Sequence, residues 1–328
     1  MLVTLGRWFG VGDIIIAGTV LHALAKKYPK TMLMVDCQNH DKESWIKMVY
    51  PNYHMLRDDS GREFGGVKPL KIIETKGPWC DLELPGVHAP NFTHTHEVWA
   101  ALSGVKPERY TLEIPVEDLQ WAMNYLNNPS YTVILSPFSR NIVNSWPNSY
   151  WLRLIDELLN SKVRILINDN EFIKETNFNM GCKGCGSNYQ PNFEIFKDFE
   201  KLPNVEASKI AALISCSDLV VGIDSGLCHV AAMLDRPTIV LAAPTSGRKL
   251  YGWYQTAKVF EASAHCSPCY MPWLRPMSKQ CSRGCPLMKV ITPEMVFGEA
   301  IRSITGVSIK DEIRLDAEKM LENPVANG

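Results

Sequence analysis

Short apolar runs alternate along the chain with stretches whose apolar positions recur every three or four residues. Met1 to Leu5 reads as a buried strand, and the glycine-punctuated loop Gly6 to Gly12 follows. Asp13 is expected at the N-cap of a helix that lines up Ile14, Ala17, Gly18, Leu21, Ala25 and Tyr28 on one face. Lys26 and Lys27 suit its C-terminal dipole, and Pro29 stops it. Thr31 to Val35 completes a β-α-β unit with a right-handed crossover. The next ninety or so residues are less regular. They predict a strand at Lys71–Thr75 and helices at Glu97–Leu102 and Val116–Leu126. Asn127-Asn128-Pro129-Ser130 reads as a linker.

A second alternating series begins there. Strands are predicted at Thr132–Leu135, Arg164–Ile167, Leu219–Ile223 and Thr238–Ala242, and helices at Tyr150–Leu159, Ser208–Ser215 and Leu227–Leu234. Alternation of this kind implies parallel sheets covered on both faces, hence two doubly wound α/β domains in tandem. The boundaries expected are 1–127, 128–305 and a segment at 306–328 that reads as a solvated tail or a helix returning over the first domain.

Composition narrows the class. The chain has 328 residues with 34 Lys+Arg against 35 Asp+Glu. A balance so close to neutral disfavours a nucleic-acid binder and leaves room only for a local basic groove. No apolar run is long enough to span a membrane. The apolar stretch from Ile14 to Ala25 ends in Ala23-Leu24-Ala25 like a signal peptide, but Asp13, Thr19 and His22 interrupt that pattern. The ten cysteines do not form a secreted disulfide framework in a chain of this size, so a reducing, cytoplasmic location is expected.

Ligands of open α/β sheets bind beyond the carboxyl ends of the strands. Three segments fall there. In Gly10-Val11-Gly12-Asp13 the glycines allow close backbone approach and Asp13 offers a carboxylate; the plain alternative makes Asp13 a helix cap. Ser136-Pro137-Phe138-Ser139-Arg140, followed by Asn144-Ser145-Trp146-Pro147, supplies hydroxyls and a guanidinium suited to a diphosphate, or is an ordinary polar turn. In Gly222-Ile223-Asp224-Ser225-Gly226-Leu227-Cys228-His229 a strand ends and a helix opens, and its free amides favour an anion. Here Asp224 and Ser225 equally suit a cap and His229 a packing residue.

Taken together, these segments, with Arg236-Pro237 and Pro244-Thr245-Ser246, resemble glycosyltransferase family 9, the bacterial heptosyltransferases that use ADP-heptose. The resemblance runs from residue 1 to about 305 and implies a GT-B architecture, two Rossmann-like domains facing across a cleft. It implies an inverting transfer in which Asp13 is the general base, with Gly10 and Gly12 beside it. Ser139, Arg140, Ser225, Gly226 and His229 would hold the diphosphate, Glu171 the nucleoside, and Asp224 the sugar or the loop. The family's lysine before the Trp-Pro block is missing from Asn144-Ser145-Trp146, where Arg140, Arg248 or Lys249 would substitute. That departure leaves the nucleotide and the sugar open.

Cys266-x-x-Cys269 and Cys281-x-x-x-Cys285 form two short-spaced pairs separated by eleven residues. Such pairs close a tetrahedral thiolate site, a structural metal of zinc or iron, or else remain redox pairs or free thiols. A similar four-cysteine finger occurs in bacterial autotransporter heptosyltransferases, where the metal is iron. Cys182 and Cys185 lack a second nearby pair and read as free thiols, a disulfide or a mobile loop, with pairing to Cys266 and Cys269 across the fold as the rival. His94 and His96 are expected as surface residues of a helix start, with a place on the acceptor side of the cleft as the alternative. The partners implied are a nucleotide-sugar donor and a glycan or protein acceptor, with homo-oligomerisation left open. A non-catalytic nucleotide-binding module using the finger for partner binding, and a nucleotide-sugar epimerase, are the rival readings.

Overall fold

The structure, a computed structural model, describes residues 2–5, 10–30, 34–37, 43–51, 54–55, 73–75, 94–127, 130–138, 144–168, 193–243, 245–262 and 285–306. The first sheet contains β1 (Leu2–Leu5), β2 (Met34–Cys37), β3 (His54–Met55) and β4 (Ile73–Thr75), in the order β3-β2-β1-β4. All its pairings are parallel; Val3 faces Val35 on one side and Ile73 on the other. Its helices are α1 (Val11–Lys27), α2 (Glu43–Val49), α3 (Thr95–Leu102) and α4 (Val116–Tyr125).

The second series runs β5 (Thr132–Ser136), α5 (Asn148–Asn160), β6 (Arg164–Ile167), α6 (Ala207–Cys216), β7 (Leu219–Ile223) and α7 (Gly226–Met233). It continues through β8 (Thr238–Ala242), α8 (Gly247–Tyr251), β9 (Ala257–Glu261) and α9 (Pro293–Thr305). The sheet is parallel throughout, in the order β6-β5-β7-β8-β9. Every residue of β5, β7 and β8 is buried. Continuous apolar runs of this kind are what a parallel sheet covered on both faces requires.

Alternate side chains of the second sheet feed two cores. Val133, Leu135, Val221 and Leu241 pack with α5 and α9. In α5 the buried residues Trp151, Leu154, Ile155 and Leu158 have the spacing of one helical face. Each fully buried side chain of this size contributes roughly 1.5–3 kcal/mol of transfer free energy. The opposite face presents Ile134, Val220 and Val240 to α6 and α7. That second core is continuous with the residues of α1, α2, α3 and α4.

Helix α1 departs from its expected one-sided pattern. Ile14 through Leu21, Ala23 and Leu24 are all buried, whereas Tyr28 lies at the C-cap, 38% exposed. The reason is location: α1 packs against α2, α3 and α7, so neighbours enclose most of its circumference. The start also differs, for Gly10 is the N-cap and Asp13 sits three residues into the helix. Elements with no counterpart in the sequence reading are α2, β3, α8, β9 and α9.

Candidate functional site

Both sheets reverse strand order in the middle, and the switch points carry the candidate residues. In the first sheet β1 has β2 on one side and β4 on the other, and the chain leaving β1 enters α1. In the second, β5 lies between β6 and β7, so the crevice at its carboxyl end is framed by Ser136 and by Asp224-Ser225. Such crevices are where doubly wound sheets bind ligands.

Two helix starts meet there. A Cβ added to Gly226, the first residue of α7, would lie 2.7 Å from Val11 Cβ and 3.2 Å from the Gly12 amide nitrogen. One added to Gly12 would lie 2.6 Å from His229 Cδ2 and 3.3 Å from its Nε2. Glycine at both positions is therefore a condition of contact between the first turns of α1 and α7. Each first turn carries amides without intrahelical partners and the positive end of a helix dipole. Two positive ends brought together repel, and an anion between them relieves that repulsion.

Carboxylates flank this junction. Asp13 Oδ2 accepts a hydrogen bond from Gly10 N at 2.8 Å, so Asp13 does part of the work of a cap while remaining half-buried. Asp224 is 17% exposed in its side chain. Its Oδ1 lies 3.1 Å from the Tyr251 hydroxyl and 3.8 Å from His229 Nε2. The Tyr251 hydroxyl also lies 3.1 Å from Ser225 O and accepts from Ser225 N at 3.2 Å. Tyr251 thereby fixes the turn between β7 and α7. Burial and the neighbouring Asp224 charge hold its phenol well above the usual value, so it stays protonated.

Ser225 is the N-cap of α7 but makes no side-chain capping bond. Its Oγ instead lies 3.0 Å from Ser136 Oγ and 3.3 Å from Cys228 Sγ. Asn168 Nδ2 donates to Ser136 Oγ at 3.5 Å. The Cys228 thiol is buried against Ile223 O, and burial pushes it up to about 12, too high for a nucleophile at neutral pH.

His229 is enclosed rather than open. Its ring stacks on Tyr251 at 4.1 Å between centroids, and its Nδ1 lies 3.3 Å from the Tyr254 hydroxyl. The same hydroxyl lies 3.0 Å from His96 Nε2. His96 is completely buried, not a surface residue, because α3 places it under Trp253 and Tyr254. Burial drives its pKa well below the usual 6.5, with His229 and His94 adding to the shift, so it is neutral. His94 is half-buried at the N-cap of α3, with Nδ1 3.2 Å from Arg248 O.

The structure thus brings together Gly10, Gly12, Asp13, Asp224, Ser225, Gly226 and His229. Ser139, Arg140, Glu171, Cys182, Cys185, Cys266, Cys269 and Cys281 lie outside the described residues. Cys285 is described and buried at the start of a short 3-10 turn, Pro286–Val290, packed into the second sheet's outer core. Trp146 belongs to that core too, its Nε1 donating to Ile291 O at 2.8 Å. Tyr251 and Tyr254 have no place in the sequence reading of the site.

Among known proteins, the model of "Glycosyltransferase family 9 (heptosyltransferase)" matches residues 92–272. Lipopolysaccharide heptosyltransferase 1 of Escherichia coli K12 is 27% identical over 150 residues, 44% of this chain and 43% of that protein. The Salmonella typhimurium protein of the same name is 28% identical over 138 residues, 42% and 38% respectively. These matches span less than half the length of the curated relatives. Among solved structures, the E. coli ADP-heptose lps heptosyltransferase II superposes with a TM-score of 0.60 at 15% identity, covering 92% of this chain and 98% of that one. The family 9 glycosyltransferase of Veillonella parvula gives 0.63 at 14%, covering 93% and 97%. The iron-containing dodecameric glycosyltransferase TibC of enterotoxigenic E. coli gives 0.62 at 16%, covering 92% and 75%. At such identities the likeness shows the α/β fold with its parallel sheets. Because the family model takes in more than half of its residues, the chain belongs to glycosyltransferase family 9 (heptosyltransferase).

Proposed function

We propose that this protein is an inverting glycosyltransferase of the GT-B type, with the junction of α1 and α7 in the cleft between two Rossmann-like domains. It moves a sugar from a nucleotide diphosphate, ADP-heptose by analogy with the relatives, to a hydroxyl of a glycan, protein or other macromolecule. The observation that carries this reading is the meeting of two helix starts, one bearing Asp13 and the other following Asp224-Ser225.

Asp13 takes the proton of the acceptor hydroxyl as its oxygen attacks the anomeric carbon. The bond from that carbon to the diphosphate oxygen breaks, the electron pair leaves with the diphosphate, and the anomeric centre inverts. The developing charge is met by the amides of Ser225 and Gly226, by His229, and by Ser139 and Arg140. Gly10 holds the Asp13 carboxylate by its amide, and Gly12 lets the His229 ring lie against the first turn of α1. Glu171 holds the nucleoside, and Asp224, anchored by Tyr251, positions the sugar.

The four cysteines Cys266, Cys269, Cys281 and Cys285 hold a structural zinc or iron in this reading. Two short-spaced thiolate pairs fit a tetrahedral metal, and the burial of Cys285 suits a structural role. Bound metal would supply cross-linking of the loop rather than chemistry. No described helix is long and apolar enough to cross a membrane; we place the enzyme in the cytoplasm, with its oligomeric state open.

Native mass spectrometry with a panel of nucleotide sugars identifies the donor and the metal together. The decisive variant is Asp13→Ala. It is expected to retain donor binding and lose product formation; unchanged turnover removes Asp13 as the base.

A further inference from the structure

His96, Tyr254 and His229 form a buried chain that the reaction as described leaves unused. His96 comes from α3, beside the first sheet, and His229 from α7 of the second series. Tyr254 follows α8 and puts its hydroxyl between the two imidazoles, 3.0 Å from His96 Nε2 and 3.3 Å from His229 Nδ1. All three are at most 4% exposed. At such burial the hydrogen-bond partners set the proton positions.

The proton count gives the chain a direction. A phenol hydroxyl has one hydrogen, so when it accepts from one imidazole nitrogen it donates to the other. His96 Nδ1 is buried and has no hydrogen-bond partner among the described residues. If His96 accepted at Nε2, its own hydrogen would sit on Nδ1 as an orphaned buried N–H. Such orphans are rarer than unpaired acceptors. The neutral state of His96 agrees with the alternative, in which its hydrogen is on Nε2 and points at Tyr254. Tyr254 then spends its hydrogen on His229 Nδ1, and the His229 hydrogen must reside on Nε2. That nitrogen faces Asp224 Oδ1, at 3.8 Å, and the first turn of α1 at Gly12.

We infer that His96 and Tyr254 are positioning residues. They lock His229 in the tautomer with hydrogen on Nε2, which makes it a fixed donor at the junction of the two helix starts, aimed at the diphosphate of the sugar donor. The inference rests on the transferase reading for the identity of that anion, but the tautomer itself does not. Stacking on Tyr251 holds the plane of the His229 ring, and the Tyr254 hydroxyl sets its hydrogen.

Nitrogen-15 NMR of histidine-labelled protein tests the arrangement, with His229 assigned by loss of its signals in His229→Asn. Wild-type His229 is expected to carry hydrogen on Nε2. Tyr254→Phe keeps the ring packing and is expected to release that preference. His96→Leu leaves the Tyr254 hydrogen no acceptor but His229 Nδ1 and is expected to keep the preference, whereas His96→Glu, whose carboxylate only accepts, draws that hydrogen away and is expected to move the His229 hydrogen to Nδ1. With ADP as the probe, Tyr254→Phe weakens binding about tenfold, the scale of one hydrogen bond to a charged group. The KM for the nucleotide sugar rises with it, while the KM for the acceptor stays. Hydrogen on Nδ1 in the wild type, or a tautomer unmoved in Tyr254→Phe, overturns the chain. A shifted tautomer with undiminished ADP affinity, or an equal rise in both KM values, overturns the role at the diphosphate. A wild-type protein that binds no ADP and transfers no sugar overturns the transferase reading, and the spectrum still decides the tautomer.

Discussion

The starts of α1 and α7 occupy equivalent places at the carboxyl ends of two parallel sheets, yet they use their acids differently. In α1 the acid lies inside the first turn, and Asp13 reaches back to its own N-cap at Gly10. In α7 the acid precedes the helix, and Asp224 is tied to Tyr251, 27 residues away. The first arrangement is local and leaves Asp13 tethered by its own turn. The second is tertiary and immobilises Asp224 within a buried aromatic cluster. A proton acceptor must approach a reacting hydroxyl, whereas a positioning group must stay put. In the proposed reaction the contrast suits the first task to Asp13 and the second to Asp224.

The largest effect is expected from Asp13→Asn. It lowers turnover about 10²–10⁴-fold, the usual contribution of a general base, while ADP affinity is retained. Asp224→Asn is expected to shift sugar-donor affinity more than turnover. Steady-state kinetics with calorimetry compare the two, and matching profiles would break the distinction.

Next comes the steric condition. Gly226→Ala places a methyl 2.7 Å from Val11 Cβ, and the two starts are forced apart. Thermal unfolding is expected to show a loss of about 1–3 kcal/mol, as for overpacked cores, with activity falling alongside. Gly10→Ala meets nothing closer than 3.5 Å and is the milder control. Equal losses in the two variants would remove the argument for close approach.

Tyr251→Phe sharpens the comparison on the α7 side. It deprives Ser225 N and Asp224 of a buried partner and is expected to cost about 1–2 kcal/mol by denaturant titration. No effect would mean that the turn is held by Ser136 and the helix alone.

The smallest effect is on the pH axis. His96 titrates well below 6.5 in the folded chain, so below that pH the unfolded chain binds the extra proton. Its contribution is complete above pH 6.5 and is lost as the pH falls, by at most about 1.4 kcal/mol per unit. His96→Gln is expected to flatten that part of the stability profile. An unchanged slope would show that His96 is protonated in the folded state.

The strands Arg164–Ile167, Leu219–Ile223 and Thr238–Ala242 stand where the sequence puts them, because runs of buried apolar residues with polar boundaries leave little choice. The short elements were harder to see. β3 has two residues and α8 five, too few for any period to declare itself. β9 is half-exposed and carries Lys258 and Glu261, so its pattern is that of a sheet edge. For α9 a signal was present: Thr292 caps it, Pro293 opens it and Gly306, at a φ of 71°, closes it.

The site was legible where it is contiguous. Asp224-Ser225-Gly226 follows a buried strand directly, and Gly10 to Asp13 opens a helix, so chain order supplies their chemistry. Tyr251, Tyr254 and His96 reach the same place only through tertiary packing. Their sequence neighbourhoods, Leu250-Tyr251 and Thr95-His96-Glu97 among them, announce no shared partner. Asp13 was recognised as important but placed at the wrong rung, because the helix begins three residues earlier than its capping pattern suggests.

The uninterrupted core joining α1 to α6 and α7 has a consequence for dissection of the chain. Severing the backbone between residues 127 and 128 would strip greasy walls from both fragments, α1 losing the support of α7 and α6 that of α4. Each fragment expressed by itself would be sticky, and the two produced together would tend to rejoin, which makes this position a natural seam for split-protein complementation.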